Sequence, residues 1–99
     1  EEIVTGLRNL IAAIRLRKPS ARIFLLGIYP RRNMEDRVTG INKKIEALAR
    51  ILRINYLDPG SQLLQNNKKI NESLFTDGLH PNARGYEILG SSISKAIGK

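Results

Sequence analysis

Apolar residues recur every three or four positions in three stretches of the chain, which is the spacing of an amphipathic α-helix. The first stretch, residues 3–17, follows the acidic residues Glu1 and Glu2, which favour a helix start. The second covers residues 38–53, and the third follows Asn82, a favoured N-cap residue. The three predicted stripes are Ile3/Val4, Leu7, Leu10/Ile11 and Ile14; Val38, Ile41, Ile45, Leu48 and Leu52; and Tyr86, Leu89, Ile93 and Ile97.

Two further segments are typical of β-strands. Residues 21–28 are almost continuously apolar, which predicts a central parallel strand that is covered on both faces. Residues 54–58 predict a shorter second strand, closed by a Pro-Gly turn. Residues 31–36 are expected to be a polar loop, and residues 61–81 form a long polar connection that is functional or carries its own short helix.

The order helix, strand, helix, strand, loop, helix indicates an α/β fold with a parallel sheet and helices on both faces. The two strands are therefore predicted to be adjacent and parallel, joined by one right-handed crossover. Two strands alone leave long edges of unpaired backbone. We therefore expect the missing strands to come from sequence upstream or from a second chain, and otherwise expect self-association through the open edge.

Composition narrows the possible classes. The 99 residues correspond to one small domain or part of one, and 41% hydrophobic with 26% charged residues is ordinary for a globular chain. No apolar run is long enough for a membrane span. The net charge of +8 could attract an acidic partner, but three Tyr, two Phe and no Trp offer no stacking platform, so nucleic acid is not an expected partner. A solvated basic surface is the simpler interpretation.

The segment with the highest density of chemistry contains Asp77, Gly78 and His80, the only histidine of the chain. A carboxylate three residues before an imidazole, across a glycine turn, can reach Nδ1, fix the tautomer and leave Nε2 as a general base. The alternative is an ordinary turn that precedes a helix cap. One histidine and no cysteine provide no coherent metal-ligand set, so no metal is expected.

The string Leu-Phe-Thr-Asp-Gly-Leu-His-Pro-Asn at residues 74–82, followed by Gly85 and Tyr86, resembles the last conserved block of the SGNH (GDSL) esterases and lipases. Residues 19–31 resemble the strand segment of members like the platelet-activating-factor acetylhydrolase catalytic subunits. Asn42 and a Tyr-Leu-Asp strand also fit. The resemblance covers essentially the whole chain.

This resemblance implies the C-terminal half of a flavodoxin-like three-layer α/β/α fold, with two parallel strands and three helices, so that residues 1–99 would form a single partial domain. By resemblance, Asp77 and His80 are the catalytic acid and base. The family's nucleophilic serine lies in an N-terminal Gly-Asp-Ser block, which does not occur in these residues. The implied function is the C-terminal part of a serine ester hydrolase, inactive alone, with an ester as substrate and no cofactor.

Ligands of open α/β sheets bind beyond the carboxyl ends of the strands. Arg31 and Arg32 follow the first predicted strand and are weak candidates for contacting an anionic or sugar-like substrate there. Asp58 is interpreted as a structural cap of the turn that follows it. The alternative function is a non-catalytic binding or assembly module, whose basic surface recruits an acidic partner.

Overall fold

The computed structural model describes residues 2–66 and 68–98. Glu1, expected at the start of the first helix, lies outside the described residues. The elements are α1 (Glu2–Arg17), β1 (Phe24–Leu26), α2 (Glu35–Leu52), β2 (Asn55–Leu57), β3 (Leu64–Gln65), β4 (Lys69–Ile70) and α3 (Ala83–Ile97), with short 3₁₀ helices at Pro59–Leu63 and Glu72–Leu74. In the described part of the chain, no helix is both long enough and apolar enough to span a membrane.

The first two strands pair as predicted. β1 and β2 are adjacent and parallel, with Leu25 opposite Tyr56 in the centre. Both strands are shorter than expected, and after Gly27, whose N–H donates to the Leu57 carbonyl at 2.8 Å, a side chain pairs with the backbone of β1. The Asn42 carboxamide accepts a hydrogen bond from the Ile28 N–H at 2.7 Å and donates one to the Ile28 carbonyl at 2.8 Å. A buried residue of α2 therefore occupies the place of a further strand residue.

Apolar side chains on the two faces of the sheet separate into two clusters. One lies between β1, α1 and α2, and the other lies beneath α3. Leu25 belongs to the first cluster, whereas Leu26 lies on the opposite side with residues of α3. This explains why the strand segment is apolar without alternation. The buried members of the clusters are Ile11, Leu25, Ile45, Leu48 and Ala49, and Leu63, Ile70, Leu74, Phe75 and Leu89.

The segment expected to be a polar loop, residues 31–36, contains the first turn of α2, which begins at Glu35. Glu35 is only 8% exposed, and its Oε2 accepts a hydrogen bond from the Ile70 N–H at 3.2 Å. Burial opposes ionisation, but backbone N–H donors outweigh it and lower the pKa of the Glu35 carboxyl. A polar residue that is predicted to be solvated is thus a structural link to β4.

The long connection is built from short elements. β3 and β4 pair antiparallel, with Leu64 opposite Ile70, and a 3₁₀ helix lies on either side of them. The Asn71 N–H donates to the Leu63 carbonyl at 2.7 Å, which closes the segment against the core. Each element is too short to produce a periodic pattern in the sequence. The expectation of a short helix is met by both 3₁₀ turns.

Replacing Asn42 with Ala is expected to lower the free energy of unfolding by about 2–4 kcal/mol, because it leaves two partly buried backbone groups of Ile28 unpaired. Urea unfolding measures the loss. Asn9→Ala is the matched control, since Asn9 is exposed on α1 and Ala is the better helix former. Equal stability of the two variants would contradict the strand-substituting role of Asn42.

Candidate active site

The Asp-Gly-Leu-His segment lies on a turn that is closed by its own backbone. Phe75 and Pro81 form an isolated antiparallel bridge, and the Thr76 N–H donates to the His80 carbonyl at 2.9 Å. The Arg32 N–H donates to the Gly78 carbonyl at 2.7 Å. Because Arg32 follows the carboxyl end of β1, this bond holds the turn at the edge of the sheet where ligands of parallel α/β proteins bind.

The Asp77 carboxylate organises the turn. Its Oδ1 accepts hydrogen bonds from the backbone N–H groups of Leu79 at 2.9 Å and His80 at 2.8 Å. Its Oδ2 lies 3.0 Å from the His80 Nδ1. With the carboxylate ionised, Nδ1 carries the proton and donates, which leaves Nε2 as the basic nitrogen. The predicted contact between the two side chains is confirmed, and their catalytic role stays a prediction.

The hydrogen bond from the His80 ring, followed by those from the backbone N–H groups of His80 and Leu79, holds the pKa of the Asp77 carboxyl well below its usual range. Asp77 is therefore ionised at neutral pH. The side chains of His80 and Asp77 are 59% and 53% exposed. Within the described residues, Nε2 makes no hydrogen bond, so it is accessible to an incoming group.

The helix that follows the turn begins where the sequence predicts. The Asn82 side chain accepts a hydrogen bond from the Gly85 N–H at 3.0 Å and donates one to the Ser73 carbonyl at 2.8 Å. Gly85 is required by space, because a Cβ at this position would lie 2.6 Å from the Leu74 carbonyl oxygen. The start of α3 is thereby fixed against the residues that precede the turn.

The two arginine candidates have different surroundings. Arg32 forms a two-pronged ion pair with Glu72, with Nε at 2.8 Å and Nη2 at 2.6 Å from the two carboxylate oxygens. The pair raises the pKa of the Arg32 guanidinium and lowers the pKa of the Glu72 carboxyl. Arg31 is exposed, and its side chain has no partner among the residues that the structure describes. A substrate contact by either arginine stays a prediction.

Asp58 does lie in the turn at the end of β2. Its backbone carbonyl accepts hydrogen bonds from the Ser61 N–H at 3.3 Å and the Ser61 hydroxyl at 2.9 Å. The carboxylate forms no cap of the 3₁₀ helix, and burial raises the pKa of the Asp58 carboxyl. The predicted cap is therefore made by the main chain and not by the side chain.

Glu72 is the site residue that the sequence did not reveal. It lies 40 residues from Arg32, and an exposed glutamate in a polar segment carries no signal for such a partner. The residue before it, Asn71, orients it locally by accepting hydrogen bonds from the Ser73 N–H at 3.1 Å and the Ser73 hydroxyl at 2.7 Å. The Asn-x-Ser spacing is the one available local hint of this 3₁₀ turn.

An apolar groove of about 360 Å³ lies between β1 and α3, bordered by Pro59. Leu26 and Tyr86, at 40% and 52% exposure, are its most accessible large side chains. The predicted common face of Tyr86, Leu89 and Ile93 is confirmed, since all three line this groove, although only Leu89 is buried. Within residues 2–66 and 68–98, no group of three or more His, Cys, Asp or Glu side chains could hold a metal ion.

The parallel β1–β2 pair, with the Asp77–His80 contact at its carboxyl edge, defines an α/β protein that carries a polar turn where ligands of such sheets bind. The chain belongs to the GDSL-like lipase/acylhydrolase family, whose model matches residues 1–88. Among curated proteins, no sequence matches this chain significantly.

Three solved structures illustrate the fold. A structure from Streptococcus pneumonia, described as a platelet activating factor, is 20% identical, with a TM-score of 0.88 over 97% of this chain and 50% of its own. The esterase domain of the ORF1 protein from the zebrafish ZfL2-1 retrotransposon is 22% identical, with a TM-score of 0.80 over 96% of this chain and 56% of its own. A GDSL-like lipase from Bacteroides thetaiotaomicron is 24% identical, with a TM-score of 0.70 over 90% of this chain and 49% of its own.

At these identities the likeness shows the fold alone, and the fold is that of the GDSL/SGNH hydrolases. The chain spans about half the length of the solved structures that it matches. The predicted α/β class, with three helices and two parallel strands, is confirmed.

The lowered pKa of Asp77 predicts a pH dependence of stability. Ionised Asp77 stabilises the folded state above its unfolded pKa of about 3.9, and this contribution is lost as the pH falls below that value. We expect the free energy of unfolding to fall more steeply below about pH 4 for the wild type than for Asp77→Asn. Glu35 and Glu72, whose pKa values are also lowered, keep a residual slope in the variant. The free energy of unfolding is measured by urea titration at a series of pH values. The same dependence on pH in the wild type and in Asp77→Asn would contradict this prediction.

Proposed function

We propose that this chain supplies the acid and base of a serine ester hydrolase. The observation that carries the proposal is the 3.0 Å contact between the Asp77 carboxylate and the His80 Nδ1, with Nε2 left accessible at the sheet edge. Membership of the GDSL-like lipase/acylhydrolase family supports an ester as the substrate. Asp77 and His80 then form two members of a triad, and a serine forms the third.

In the proposed reaction, the serine oxygen attacks the ester carbonyl while the His80 Nε2 takes its proton. The charge on the imidazolium is stabilised by Asp77, which stays ionised. His80 then gives the proton to the departing alcohol oxygen, and an acyl-serine remains. Water, deprotonated by the same Nε2, attacks this acyl group and releases the carboxylic acid. Nε2 then returns the proton to the departing serine oxygen, which restores the serine and the neutral imidazole. No cofactor takes part in these steps.

The serine is proposed to come from a part of the protein outside this chain. Within the described residues, no serine hydroxyl contacts His80. The hydroxyls of Ser61 and Ser73 donate to neighbouring groups, and the Ser92 hydroxyl accepts a hydrogen bond from the Gln62 side chain at 3.2 Å. None of the serines follows a Gly-Asp pair. The chain is accordingly proposed to be a partial domain, the C-terminal half of its fold.

The partner of the chain is proposed to be the segment that completes the sheet. β1 pairs only with β2 within the described residues, so its other edge offers unpaired backbone groups. The groove beside this edge is lined by Leu26, Tyr86 and Ile93. Apolar surface contributes about 25 cal/mol per Å² when it is buried, so covering this face is favourable. The similar structures are about twice as long as this chain, which supports the proposal of a further segment.

His80→Ala in the complete protein is expected to remove nearly all hydrolysis of p-nitrophenyl acetate, since each triad member contributes several orders of magnitude to kcat. Asp77→Asn is expected to cost a comparable or smaller factor, of up to about 10⁴ in kcat, because it disturbs the tautomer but keeps the base. The 99-residue chain alone is expected to be no faster than free imidazole.

Arg17→Gln is the surface control for these activity measurements, since Arg17 is exposed at the end of α1 and away from the turn. A fluorophosphonate label on a serine of the complete protein, dependent on His80, distinguishes the hydrolase from the non-catalytic binding module. Full activity of His80→Ala, or hydrolysis by the isolated chain that survives its loss, would refute the proposed roles.

The isolated chain is expected to self-associate through the β1 edge and the groove. Leu26→Lys should lower the weight-average mass in sedimentation equilibrium, because it places a charge on that face. Ile51→Lys is the control, since Ile51 is 67% exposed on α2, outside the groove. A cooperative, stable monomer at high concentration would show that the chain closes its own core, and the partial-domain proposal would fail.

A further inference from the structure

We infer that Arg32 is a positioning residue for the Asp77–His80 pair, and that the Arg32–Glu72 ion pair clamps the turn on which the histidine lies. The inference rests on the proposed function insofar as the pair is catalytic. It differs from the sequence-based expectation for Arg32, which was a contact with substrate. The geometry around the guanidinium group carries the argument.

Arg32 contacts the turn through its main chain and its side chain. Its N–H donates to the Gly78 carbonyl at 2.7 Å. Its guanidinium lies over the same glycine, because a Cβ on Gly78 would be 2.5 Å from the Arg32 Cζ and 2.7 Å from its Nε. Gly78 is the residue between the carboxylate and the imidazole, so the position of Arg32 bears directly on the spacing of the pair.

Gly78 is consequently required for two independent reasons. Its φ of +78° is in the left-handed region that favours glycine. Its missing side chain also leaves the space that the guanidinium occupies. A turn that served only as a helix entry would need the backbone conformation, but it would not need a cation packed against it.

Glu72 fixes the guanidinium in this place. The two hydrogen bonds of 2.8 and 2.6 Å form a fork, which restrains the plane of the guanidinium as well as its position. Glu72 itself begins a 3₁₀ helix that is capped by the Asn71 side chain. The clamp therefore connects the loop after β1, the 3₁₀ turn and the catalytic turn.

These contacts favour positioning over substrate binding. Nε and Nη2 are both engaged by Glu72, and one face of the guanidinium is covered by Gly78. The negative charge of Asp77 also contributes to raising the pKa of the Arg32 guanidinium, after the larger contribution of Glu72. The Arg32 and Glu72 side chains are 50% and 54% exposed, so the pair contributes little to overall stability. Its removal is expected to change the turn and leave the fold intact.

The direct test is the tautomer of neutral His80, read from long-range ¹H–¹⁵N NMR spectra of the complete protein with labelled histidine. The His80 signals are assigned by their loss in His80→Gln. The wild type is expected to show the Nδ1–H form, as the contact with Asp77 requires. Arg32→Gln is expected to lose this single form and show a mixture of both tautomers. Arg31→Gln, which removes the same charge one residue away, is expected to keep the wild-type spectrum.

Two further variants distinguish the effect of the two-pronged hydrogen bonding between Arg32 and Glu72 from the effect of the positive charge. Arg32→Lys keeps the charge but cannot form the fork, so it should resemble Arg32→Gln. Glu72→Gln removes the anchor and should give the same mixture, and it decides the test if Arg32→Gln does not fold. An unchanged tautomer in both Arg32→Gln and Glu72→Gln, or the same mixture in Arg31→Gln, would overturn the inference.

Kinetics of the complete protein distinguish the two roles of Arg32. A positioning residue lowers kcat, by about 10- to 100-fold for a displacement near 1 Å, with KM nearly unchanged. A raised KM with kcat unchanged would instead indicate substrate binding and would refute the inference. Because the tautomer is measured without turnover, a protein with no esterase activity but with the expected NMR changes would contradict the proposed function alone.

Discussion

The parallel pairing of β1 and β2 is the constraint on which the remaining structure depends. Parallel neighbours cannot be joined by a tight turn, so the chain must return across one face, and α2 makes that return. Both strands then end at the same edge. The loop after β1 is thereby placed where the Arg32 N–H can hold the Gly78 carbonyl, and the turn that carries Asp77 and His80 has a fixed support. Without the pairing, the turn would keep its internal hydrogen bonds, but it would no longer be held at the carboxyl edge of the sheet.

The features that follow from local chemistry could be predicted from the sequence. Helical periodicity located α1 and α3, Asn82 located the start of α3, and Asp77 with His80 had a spacing that one carboxylate can span. The features that depend on distant partners could not. Nothing near Glu35 or Glu72 in the sequence indicates a partner on another element. Such pairings are fixed by the fold and not by the residues beside them.

Glu35 and Tyr86 depart from the simple rule that polar side chains are exposed and apolar stripes are buried, and the physical reasons differ. Glu35 is polar but buried, because the Ile70 N–H and a neighbouring lysine compensate the charge. Tyr86 lies on an apolar helix stripe but is half-exposed, because the described residues provide no element to cover that end of the groove. Periodicity identifies the face of a helix that suits a core. It does not say how much of that core the same chain contains.

Several of the chain's many cations have structural contacts, which weakens the case for a surface dedicated to an acidic partner. Arg15 donates to the Leu52 carbonyl at 2.6 Å, at the end of α2. Arg22 lies 5.1 Å from the centroid of the Phe24 ring. Arg32 is paired with Glu72. A net charge of +8 therefore overstates the number of cations available for recognition.

The strand register also bears on how this chain folds. Phe24 pairs with Asn55, so forming the contact between β1 and β2 closes a loop of the chain that contains the whole of α2. Closing this loop costs chain entropy, and the hydrogen bonds between the three-residue strands can compensate that cost only after the loop has closed. α2 forms through local contacts and shortens that loop, and Asn42 places a ready hydrogen-bonding partner beside Ile28. The helix that connects the strands is thus expected to act as the template on which they meet, so we expect changes within it to slow folding as well as to reduce stability.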